Sequence, residues 1–334
     1  MERKLASIQR VESITAIAGA DKIVKARVMG WDVVVKKDEL AADAACVFFE
    51  IDAVLPDGAA WAEFMRPRGF RLRTVRLRGV LSQGLALPTS ILPEGAPTEL
   101  GADVTSLLGV TKYEPILPDT REIAGPFPTR VPKTDEIRLQ SALGVLDEIR
   151  GQDFVITTKL DGTSLTFFRE SERELVVCSR NWALREGDGS REWRIARALD
   201  LGTKLPVGVA LQGELCGPGI QKNPLGLAAL QFFAFSGYHT IEGRYLIHDE
   251  LFALCAELGV TTVPVEHRVE GEAARTFEHT LERYLELARG RYPGTTSHKE
   301  GIVVRPLRET RSDTLSGRLS FKVISNEFLL AEKD

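Results

Sequence analysis

The sequence lacks the features that mark membrane, secreted and zinc-finger proteins. No apolar run approaches the roughly 18 residues that a membrane-spanning helix needs, and residues 1–11 are charged where a signal peptide would be apolar. The four cysteines are far apart and form no Cys-x-x-Cys pair, which disfavours a disulfide framework and a structural zinc site. We therefore expect a protein of the reducing cytoplasm that has no membrane partner.

The sequence also lacks an excess of basic residues and any long low-complexity tract. Its 43 Lys and Arg against 47 Asp and Glu give a formal net charge of −4, which argues against a protein that coats nucleic acid through its overall charge. Only a local basic patch could bind phosphates. A length of 334 residues with an ordinary apolar fraction suits two globular domains.

Residues 1 to about 90 predict an all-β domain. Short alternating or apolar runs recur there and are separated by turn residues such as Gly30 and Arg78-Gly79. The runs are Leu5–Val11, Ile23–Val28, Trp31–Val35, Val47–Ile51, Arg71–Leu77 and Gly84–Leu87. About five strands at that spacing indicate a small closed barrel of the OB type. Residues 93–132 are rich in Pro and Gly and are interpreted as a linker, so we place the first domain at 1–120.

The remainder, 121–334, predicts an α+β domain with antiparallel sheets and flanking helices. Helical spacing marks Asp135–Arg150, Arg191–Leu199, His248–Leu258 and Ala273–Ala288. Strand-like runs lie at 154–156, 165–168, 174–179, 207–213, 230–236, 301–305 and 319–324. Because helices and strands do not alternate regularly, a parallel sheet built from repeated βαβ units is disfavoured.

One lysine stands at the predicted end of a strand. The apolar run 154–156 leads into Lys159, and Asp161 alternates onto the same face before Gly162 lets the chain turn. A lone lysine is a solvated cation with a pKa near ~10.4 and is a poor nucleophile. Burial beside a divalent metal would disfavour the ammonium form and free the lone pair. The competing interpretation is a β-hairpin with Asp161-Gly162 at its tip.

Further charged or aromatic side chains lie at or inside later predicted strands. Arg180 and Glu214 each follow a strand, and Glu300 immediately precedes one. Phe235 belongs to an aromatic-rich strand, in which one ring could face a pocket and stack on a base. Lys322 lies inside the apolar run 319–324, and a lysine in a core strand needs a partner such as a phosphate. Taken singly, Arg180 and Glu214 are better explained as surface residues, and most aromatic residues of the Phe235 strand are better explained by core packing.

The predicted barrel carries six arginines in 13 residues, from Arg66 to Arg78. No acidic residue interrupts them, so the run predicts a strip that follows nucleic-acid phosphates, with Arg71 and Arg73 on one strand face and Phe70 available for stacking. The alternative is an edge strand whose charges prevent aggregation.

The order of these residues resembles the motif order of the covalent nucleotidyltransferase superfamily, which includes ATP-dependent DNA and RNA ligases and GTP-using capping enzymes. Lys159-x-Asp161-Gly162 is similar to the nucleophile motif of that superfamily. The later motifs are matched, in order, by Ser179-Arg180, Gly213-Glu214, Phe235, Glu300-Gly301 and Lys322. The whole chain further resembles the Deinococcus-type RNA ligases, which carry an N-terminal OB domain, in the stretches 14–23, 81–88 and 132–140.

The resemblance implies three nucleotidyl transfers with ATP as the nucleotide. Lys159 would attack the α-phosphorus to give lysyl-AMP, AMP would pass to an RNA 5′-phosphate, and a 3′-hydroxyl would then displace AMP. Lys322 would hold the α-phosphate, Arg180 would contact the ribose or the incoming phosphate, and Phe235 would stack on adenine. The protein's task in such in-line displacements is alignment and charge neutralisation.

The resemblance also implies a divalent cation, and the sequence departs from the superfamily pattern at two positions. Asp161, Glu214 and Glu300 would orient hydrated Mg²⁺ or Mn²⁺, largely through its waters. Ser164 stands where DNA ligases usually have arginine, which favours an RNA ligase and makes Ser164 a candidate RNA contact. Ile324 stands where many members have a second lysine, so another residue must contact the α-phosphate. Our candidates for that contact are Arg138 and Lys133.

Two other functions stay open on the sequence. One is a GTP-dependent RNA guanylyltransferase, which would form lysyl-GMP, and labelled ATP and GTP would separate it from a ligase. The other is an OB-fold RNA-binding protein with a decayed transferase domain, against which the intact acid set beside Lys159 argues. By resemblance we expect a monomer that acts on nicked duplex RNA or an RNA–DNA hybrid, with RNA on the 3′-hydroxyl side.

Overall fold

The computed structural model describes residues 3–113 and 122–331, which form two compact units. Unit 1 contains residues 3–113, 139–143 and 329–331, and unit 2 contains residues 122–138 and 144–328. The domain boundary predicted between residues 120 and 121 lies outside the described residues. Across the two described ranges, no helix is both long enough and apolar enough to cross a bilayer.

Unit 1 is a β structure, as predicted. Its strands are β1 (Ala6–Ala16), β2 (Ile23–Val28), β3 (Trp31–Lys36), β4 (Ala45–Phe49), β5 (Ala53–Val54), β6 (Thr74–Leu77), β7 (Val80–Gln83), β8 (Leu85–Pro88) and β9 (Thr111–Lys112). Five of them form a sheet in the order β3-β2-β1-β4-β8, and β5–β9 and β6–β7 form two-stranded pairs. Strand β7 was not among the predicted runs, whereas Arg78-Gly79, predicted as turn residues, do form the turn of the β6–β7 hairpin.

The strands of unit 1 form because their apolar residues alternate. In β2 the buried residues Val24, Ala26 and Val28 alternate with half-buried neighbours, as expected of a sheet with one face in the core. Residues 93–113, which we assigned to the linker, contribute Val104, Leu108 and Val110 to the same hydrophobic core. They therefore belong to unit 1.

The arginine run differs from the predicted phosphate strip. Arg66 lies in the 3₁₀ helix Glu63–Arg68 and is ion-paired with Glu63 and Asp57, while Arg71 pairs with Asp52 at 3.3 Å. The absence of acidic residues within the run therefore did not mean an absence of acidic partners. The expectation for Phe70 was also wrong, because its side chain is buried in the core of unit 1.

Unit 2 has two main sheets. Its strands are β10 (Ile123–Pro126), β11 (Ile137–Arg138), β12 (Phe154–Lys159), β13 (Thr163–Ser171), β14 (Glu174–Cys178), β15 (Trp182–Leu184), β16 (Val209–Cys216), β17 (Gln231–His239), β18 (Arg244–Tyr245), β19 (Thr261–Thr262), β20 (Val265–Val269), β21 (Gly301–Pro306), β22 (Arg311–Ser312), β23 (Gly317–Arg318) and β24 (Phe321–Ile324). The large sheet has the order β10-β15-β14-β13-β16-β17-β18, with β19 beside β17, and the small sheet has the order β11-β24-β21-β12-β20. Most pairs are antiparallel, as predicted; β11–β24 and β17–β19 are short parallel pairs.

The helices are α1 (Val145–Glu148), α2 (Arg191–Ala198), α3 (Leu201–Lys204), α4 (His248–Leu258), α5 (Gly271–Thr276), α6 (Leu281–Leu287) and α7 (Asn326–Ala331). Helices α2, α3 and α4 cover one face of the large sheet through Trp193, Leu201 and Leu251. The α2 and α4 predictions are confirmed. Helix α2 begins at a capping residue, since the Ser190 hydroxyl accepts from the Trp193 amide.

Two predicted helices were wrong. Within Asp135–Arg150 the chain forms β11, a 3₁₀ turn (Leu139–Ser141) and the single turn α1, because Ile137 and Arg138 pair with β24 instead of continuing a helix. The stretch Ala273–Ala288 is split into α5 and α6. Thr280 caps the second helix, and His279 just before it packs against aromatic rings.

Gly213 allows the large sheet to pack closely beside the site described below. A Cβ at this position would lie 2.5 Å from the ring of Phe232 and closer still to the Phe233 carbonyl oxygen. We expect Gly213→Ala to lower the free energy of unfolding by about 1–3 kcal/mol through overpacking. Gly202→Ala, in open space within α3, is the matched control and should be neutral or mildly stabilising. Denaturant unfolding measures both, and equal stabilities would contradict the packing argument.

Candidate active site

The chain crosses from one sheet of unit 2 to the other at the predicted nucleophile. Lys159 is the last residue of β12 in the small sheet, and β13, which starts at Thr163, belongs to the large sheet. The hairpin interpretation is therefore wrong, since β12 and β13 do not pair with each other. Lys159 instead lies in the ladder opposite Gly301 of β21, with Glu300 immediately before that strand.

The register of the small sheet places a row of functional candidates on one face. Thr157 lies opposite Val303, Val303 opposite Lys322, and Lys322 opposite Arg138. Directly paired residues share a face of a sheet, and so do residues two apart along a strand. Lys159, Lys322 and Arg138 therefore project from the same face. The other face is a dry core that includes Phe154, Ile156, Ile302, Val304, Phe321 and Val323, all fully buried.

The amine of Lys159 is held by carboxylates. Its Nζ lies 2.6 Å from Glu300 Oε2, and the two side chains are only 23% and 17% exposed, so water screens the pair weakly. Asp161 and Glu214 also lie close enough to act electrostatically on the same amine. The structure therefore brings together Lys159 and all three acids that the sequence singled out.

The expectation that Glu214 follows a strand was wrong, because Glu214 lies inside β16, an inner strand between β13 and β17. It lies on β16, opposite Ser164 of β13, and is the one residue of that strand whose side chain is not fully buried. The Gly162 amide donates to its carboxylate. A Cβ at Gly162 would lie 2.5 Å from the Leu215 carbonyl oxygen and 2.8 Å from Glu214 Cγ, so glycine is required here for close approach.

The charges of this cluster shift one another's pKa values. Burial disfavours the ammonium form of Lys159, but Glu300, Glu214 and Asp161 outweigh burial and raise the pKa of this lysine above its usual value. Burial, together with the negative charges of Glu300 and Asp161, raises the pKa of Glu214 to about 7 although Lys159 opposes this. Three acids against one lysine leave an excess of negative charge when all are ionised.

That excess of negative charge fits a divalent cation. Among the described residues no three His, Cys, Asp or Glu side chains converge closely enough to ligate a metal directly. The acids Asp161, Glu214 and Glu300 fit instead a cation that keeps its waters, as magnesium does in many sites. Such a cation would compensate the repulsion that raises the pKa of Glu214.

Phe235 occupies a β-bulge. The β16–β17 ladder pairs Gln212 with Ser236 and Gly213 with Ala234, which leaves Phe235 as the extra residue. Its neighbours Phe232 and Phe233 are buried, whereas Phe235 is half-buried and lines a cavity together with Thr157 and Arg305. The sequence could not say which of the three rings reaches a pocket, and the bulge decides it.

The Arg180 and Ser164 candidates contact one short segment, residues 133–135. Arg180, at the end of β14, is ion-paired with Asp135, and the Ser164 hydroxyl lies 3.1 Å from that of Thr134. Lys133 donates to Asn181 at 3.0 Å. Arg180 and Asp135 are both about half exposed, so their pair contributes little to stability and can exchange for a ligand.

The two arginine candidates of unit 1 have different environments. The Arg71 side chain is 17% exposed, pairs with Asp52, and has its guanidinium 3.6 Å from the ring centre of Tyr113. Arg73 is half-buried on the residue before β6. Arg71 is therefore held by both an acidic and an aromatic partner within unit 1.

Two groups that support the backbone and neighbours of the site residues were not predicted from the sequence. The Lys299 ammonium, 7% exposed, pairs with Glu266 at 2.6 Å, and the Thr158 hydroxyl donates to the same carboxylate. Tyr292, which is 3% exposed, bonds through its hydroxyl to the backbone of Lys159, Asp161 and Glu300. The only signal in the sequence was an aromatic residue before Pro293-Gly294, which is too weak to assign a role.

Comparisons with known proteins give matches over both units. A family model described as OB-fold domain matches residues 5–89, and a family model described as RNA ligase matches residues 152–324. A comparison with curated protein sequences gives no match.

Solved structures of a Naegleria gruberi RNA ligase resemble the chain throughout. A structure of that ligase with PPi is 37% identical, with a TM-score of 0.87 and 98% of each chain covered. A glutamate-to-alanine variant with ATP and Mn is 37% identical, with a TM-score of 0.88, 99% of this chain and 100% of that chain covered. Another such variant, with AMP and Mn, is 36% identical with a TM-score of 0.86 and 98% coverage of each chain.

The raised pKa of Glu214 predicts a pH-dependent cost to stability in the ligand-free protein. Its pKa of about 7 lies above the ordinary value of 4.5, so between these pH values the folded protein binds more protons than the unfolded chain. The contribution of Glu214 to the free energy of unfolding therefore falls as the pH rises from 4.5 to about 7. Glu214→Gln cannot ionise and should be more stable than the wild type above pH 7, by about 1–3 kcal/mol.

Denaturant unfolding at pH 5 and pH 8, without nucleotide or divalent cation, measures this difference. Glu257→Gln, exposed on α4, is the matched control and should follow the wild type at both pH values. A Glu214→Gln variant that loses as much stability as the wild type between pH 5 and pH 8 would contradict the prediction.

Proposed function

The chain belongs to the RNA ligase family, and from that premise we propose that it is an ATP-dependent ligase that seals 3′-hydroxyl/5′-phosphate nicks through a lysyl-AMP intermediate. The observation that carries the proposal is the Lys159 amine, 2.6 Å from Glu300, within the electrostatic reach of Asp161 and Glu214 and on the same sheet face as Lys322.

In the first step the Lys159 amine attacks the α-phosphorus of ATP, forming an N–P bond as the bond to pyrophosphate breaks. The amine must first lose the proton that the surrounding acids stabilise. Glu300 holds the amine in place and Lys322 supplies a positive charge for the α-phosphate, as in other sites that stabilise developing negative charge. Arg138, opposite Lys322 in the adjacent strand, is our candidate for the contact that a second lysine makes in related enzymes.

Residues around the first-step lysine would bind the rest of the nucleotide. Phe235 at its bulge would stack on adenine, because it is the half-buried one of the three phenylalanines of its strand and lines a cavity. Arg180 would exchange its exposed pair with Asp135 for the ribose or for the incoming phosphate. Asp161, Glu214 and Glu300 would hold hydrated Mg²⁺ or Mn²⁺, which would neutralise phosphate charge and lower the pKa of Lys159.

The nucleotide and cation follow by likeness to relatives. The Naegleria gruberi RNA ligase has been solved with ATP and Mn and with AMP and Mn. We extend ATP and a divalent cation to this chain because it is 36–37% identical to that ligase along almost its whole length. The second and third steps then pass AMP to an RNA 5′-phosphate and displace it by a 3′-hydroxyl, so that every transfer is an in-line displacement at phosphorus.

The substrate and domain assignments rest on the same premise. We propose a monomer that acts on nicked duplex RNA or an RNA–DNA hybrid, with the N-terminal domain (1–120) of the Deinococcus type assisting the transferase domain (121–334). Ser164, opposite Glu214, is the proposed RNA contact near the lysine, and Arg71 and Arg73 are those of the N-terminal domain.

The proposal predicts that Lys159→Ala abolishes the protein–AMP adduct, because Lys159 supplies the amine that lies 2.6 Å from Glu300 and within the electrostatic reach of Asp161 and Glu214. The measurement is transfer of label from α-labelled ATP to the full-length protein in the presence of Mg²⁺ or Mn²⁺, followed by denaturing electrophoresis. Lys204→Ala, exposed at the end of α3, is the control and should label like the wild type. An adduct that survives Lys159→Ala, or a wild type labelled by GTP in preference to ATP, would refute the assignment.

A further inference from the structure

We propose that Tyr292 is a positioning residue of the transferase site, whose hydroxyl fixes the backbone of Lys159, Asp161 and Glu300 in one arrangement. The inference rests on the proposed function, because it assigns to those three residues the nucleophile and acid roles given above. Tyr292 itself touches only backbone atoms of the site in this structure, so it is argued to act through its neighbours.

One hydroxyl makes all three bonds. It donates to the Lys159 carbonyl oxygen at 3.1 Å and accepts from the Asp161 amide at 2.9 Å and from the Glu300 amide at 3.1 Å. A tyrosine hydroxyl has one donor and two acceptor positions, so its capacity is fully used. The three bonded groups come from two separate segments of the chain, one with Lys159 and Asp161 and the other with Glu300, and this oxygen bridges their backbones.

The position of these bonds explains why they are needed. The β12–β21 ladder ends with the pair Lys159 and Gly301, so Asp161 and Glu300 lie beyond its last register pair. The Tyr292 hydroxyl takes the place of the missing ladder bonds there. Without it, the Asp161 and Glu300 amides would lose the acceptor that joins them.

The tyrosine ring is itself fixed. It packs in a buried cluster with Leu160, Cys216, Phe233 and Val263, and it is 3% exposed. Its chain segment is closed by backbone bonds from Tyr292 to Ser297 and from Lys299 to Gly290, at 3.1 and 3.0 Å. The segment then leads directly into Lys299 and Glu300. The hydroxyl is therefore delivered by a rigid support, as a precise site requires.

The test is single-turnover formation of lysyl-AMP by the full-length protein at a series of ATP concentrations with Mg²⁺ or Mn²⁺. Because the buried Tyr292 hydroxyl bonds the backbone of the reacting residues, Tyr292→Phe should lower the rate at saturating ATP by about 10- to 100-fold. The ATP concentration for half-maximal rate should change by less than about threefold. If Tyr292→Phe changed only the ATP concentration for half-maximal rate, or left the rate at saturating ATP unchanged, the inference would be overturned.

Tyr284→Phe is the matched control. Tyr284 is fully buried in unit 2, and its hydroxyl bonds His279 at 2.8 Å, which is not one of the proposed site residues. Its removal should give a comparable fall in Tm and leave the saturated rate within about threefold of the wild type. Equal losses of rate in the two variants would mean that Tyr292 stabilises the fold without positioning the site.

A second measurement uses the wild-type protein alone and does not depend on the folding of any variant. Hydrogen exchange in the wild type should find the Asp161 and Glu300 amides protected, since both donate to the Tyr292 hydroxyl. Rapid exchange of both amides in the native protein would overturn the inference. A wild type that forms no lysyl-AMP would instead overturn the proposed function, so the two failures can be told apart.

Discussion

The ion pair between Lys159 and Glu300 is the contact on which the rest of the site depends. A lysine in a half-buried position keeps its charge here because Glu300, Glu214 and Asp161 compensate for lost hydration. The three acids also repel one another. Burial, together with the charges of Glu300 and Asp161, raises the pKa of Glu214. A site of this kind is held ready for positive charge, and a divalent cation with a nucleotide would change the balance that keeps the amine protonated.

The fold makes this arrangement possible by ending strands of two sheets at one place. The chain leaves the small sheet at Lys159 and enters the large sheet at Thr163. Glu214 lies on β16 of the large sheet, and Glu300 immediately precedes β21 of the small sheet. Asp161 and Glu300 lie just beyond the last pair of the β12–β21 ladder, where side chains supplement the backbone bonds. The Tyr292 hydroxyl and the buried Lys299–Glu266 pair support these segments. Packing is close enough there that Gly162 and Gly213 accept no side chain.

Much of this was predictable from the sequence because strand ends and buried charges leave local signals. Lys159 after an apolar run, and Lys322 inside one, were correctly placed on strands, and the α+β organisation after a β domain was correct. What failed depended on contacts distant in sequence. The apolar spacing in Asp135–Arg150 suggested a helix, but pairing of Ile137 and Arg138 with β24 decided the structure. The partners of the arginine run, Asp52 and Asp57, lie outside it, and Phe70 faces the core. Tyr292 could not be found, since its role exists only where three backbone groups meet.

The most direct test of the account is to locate the nucleotide on the protein. Full-length wild type incubated with ATP and Mg²⁺ or Mn²⁺ should gain the mass of one AMP, and peptide mapping by mass spectrometry should place it on Lys159. Three lysines lie on the strands and strand ends of this region, Lys159, Lys299 and Lys322, so the map discriminates among real alternatives. AMP found on Lys322 or Lys299, or no adduct on any lysine, would contradict the account.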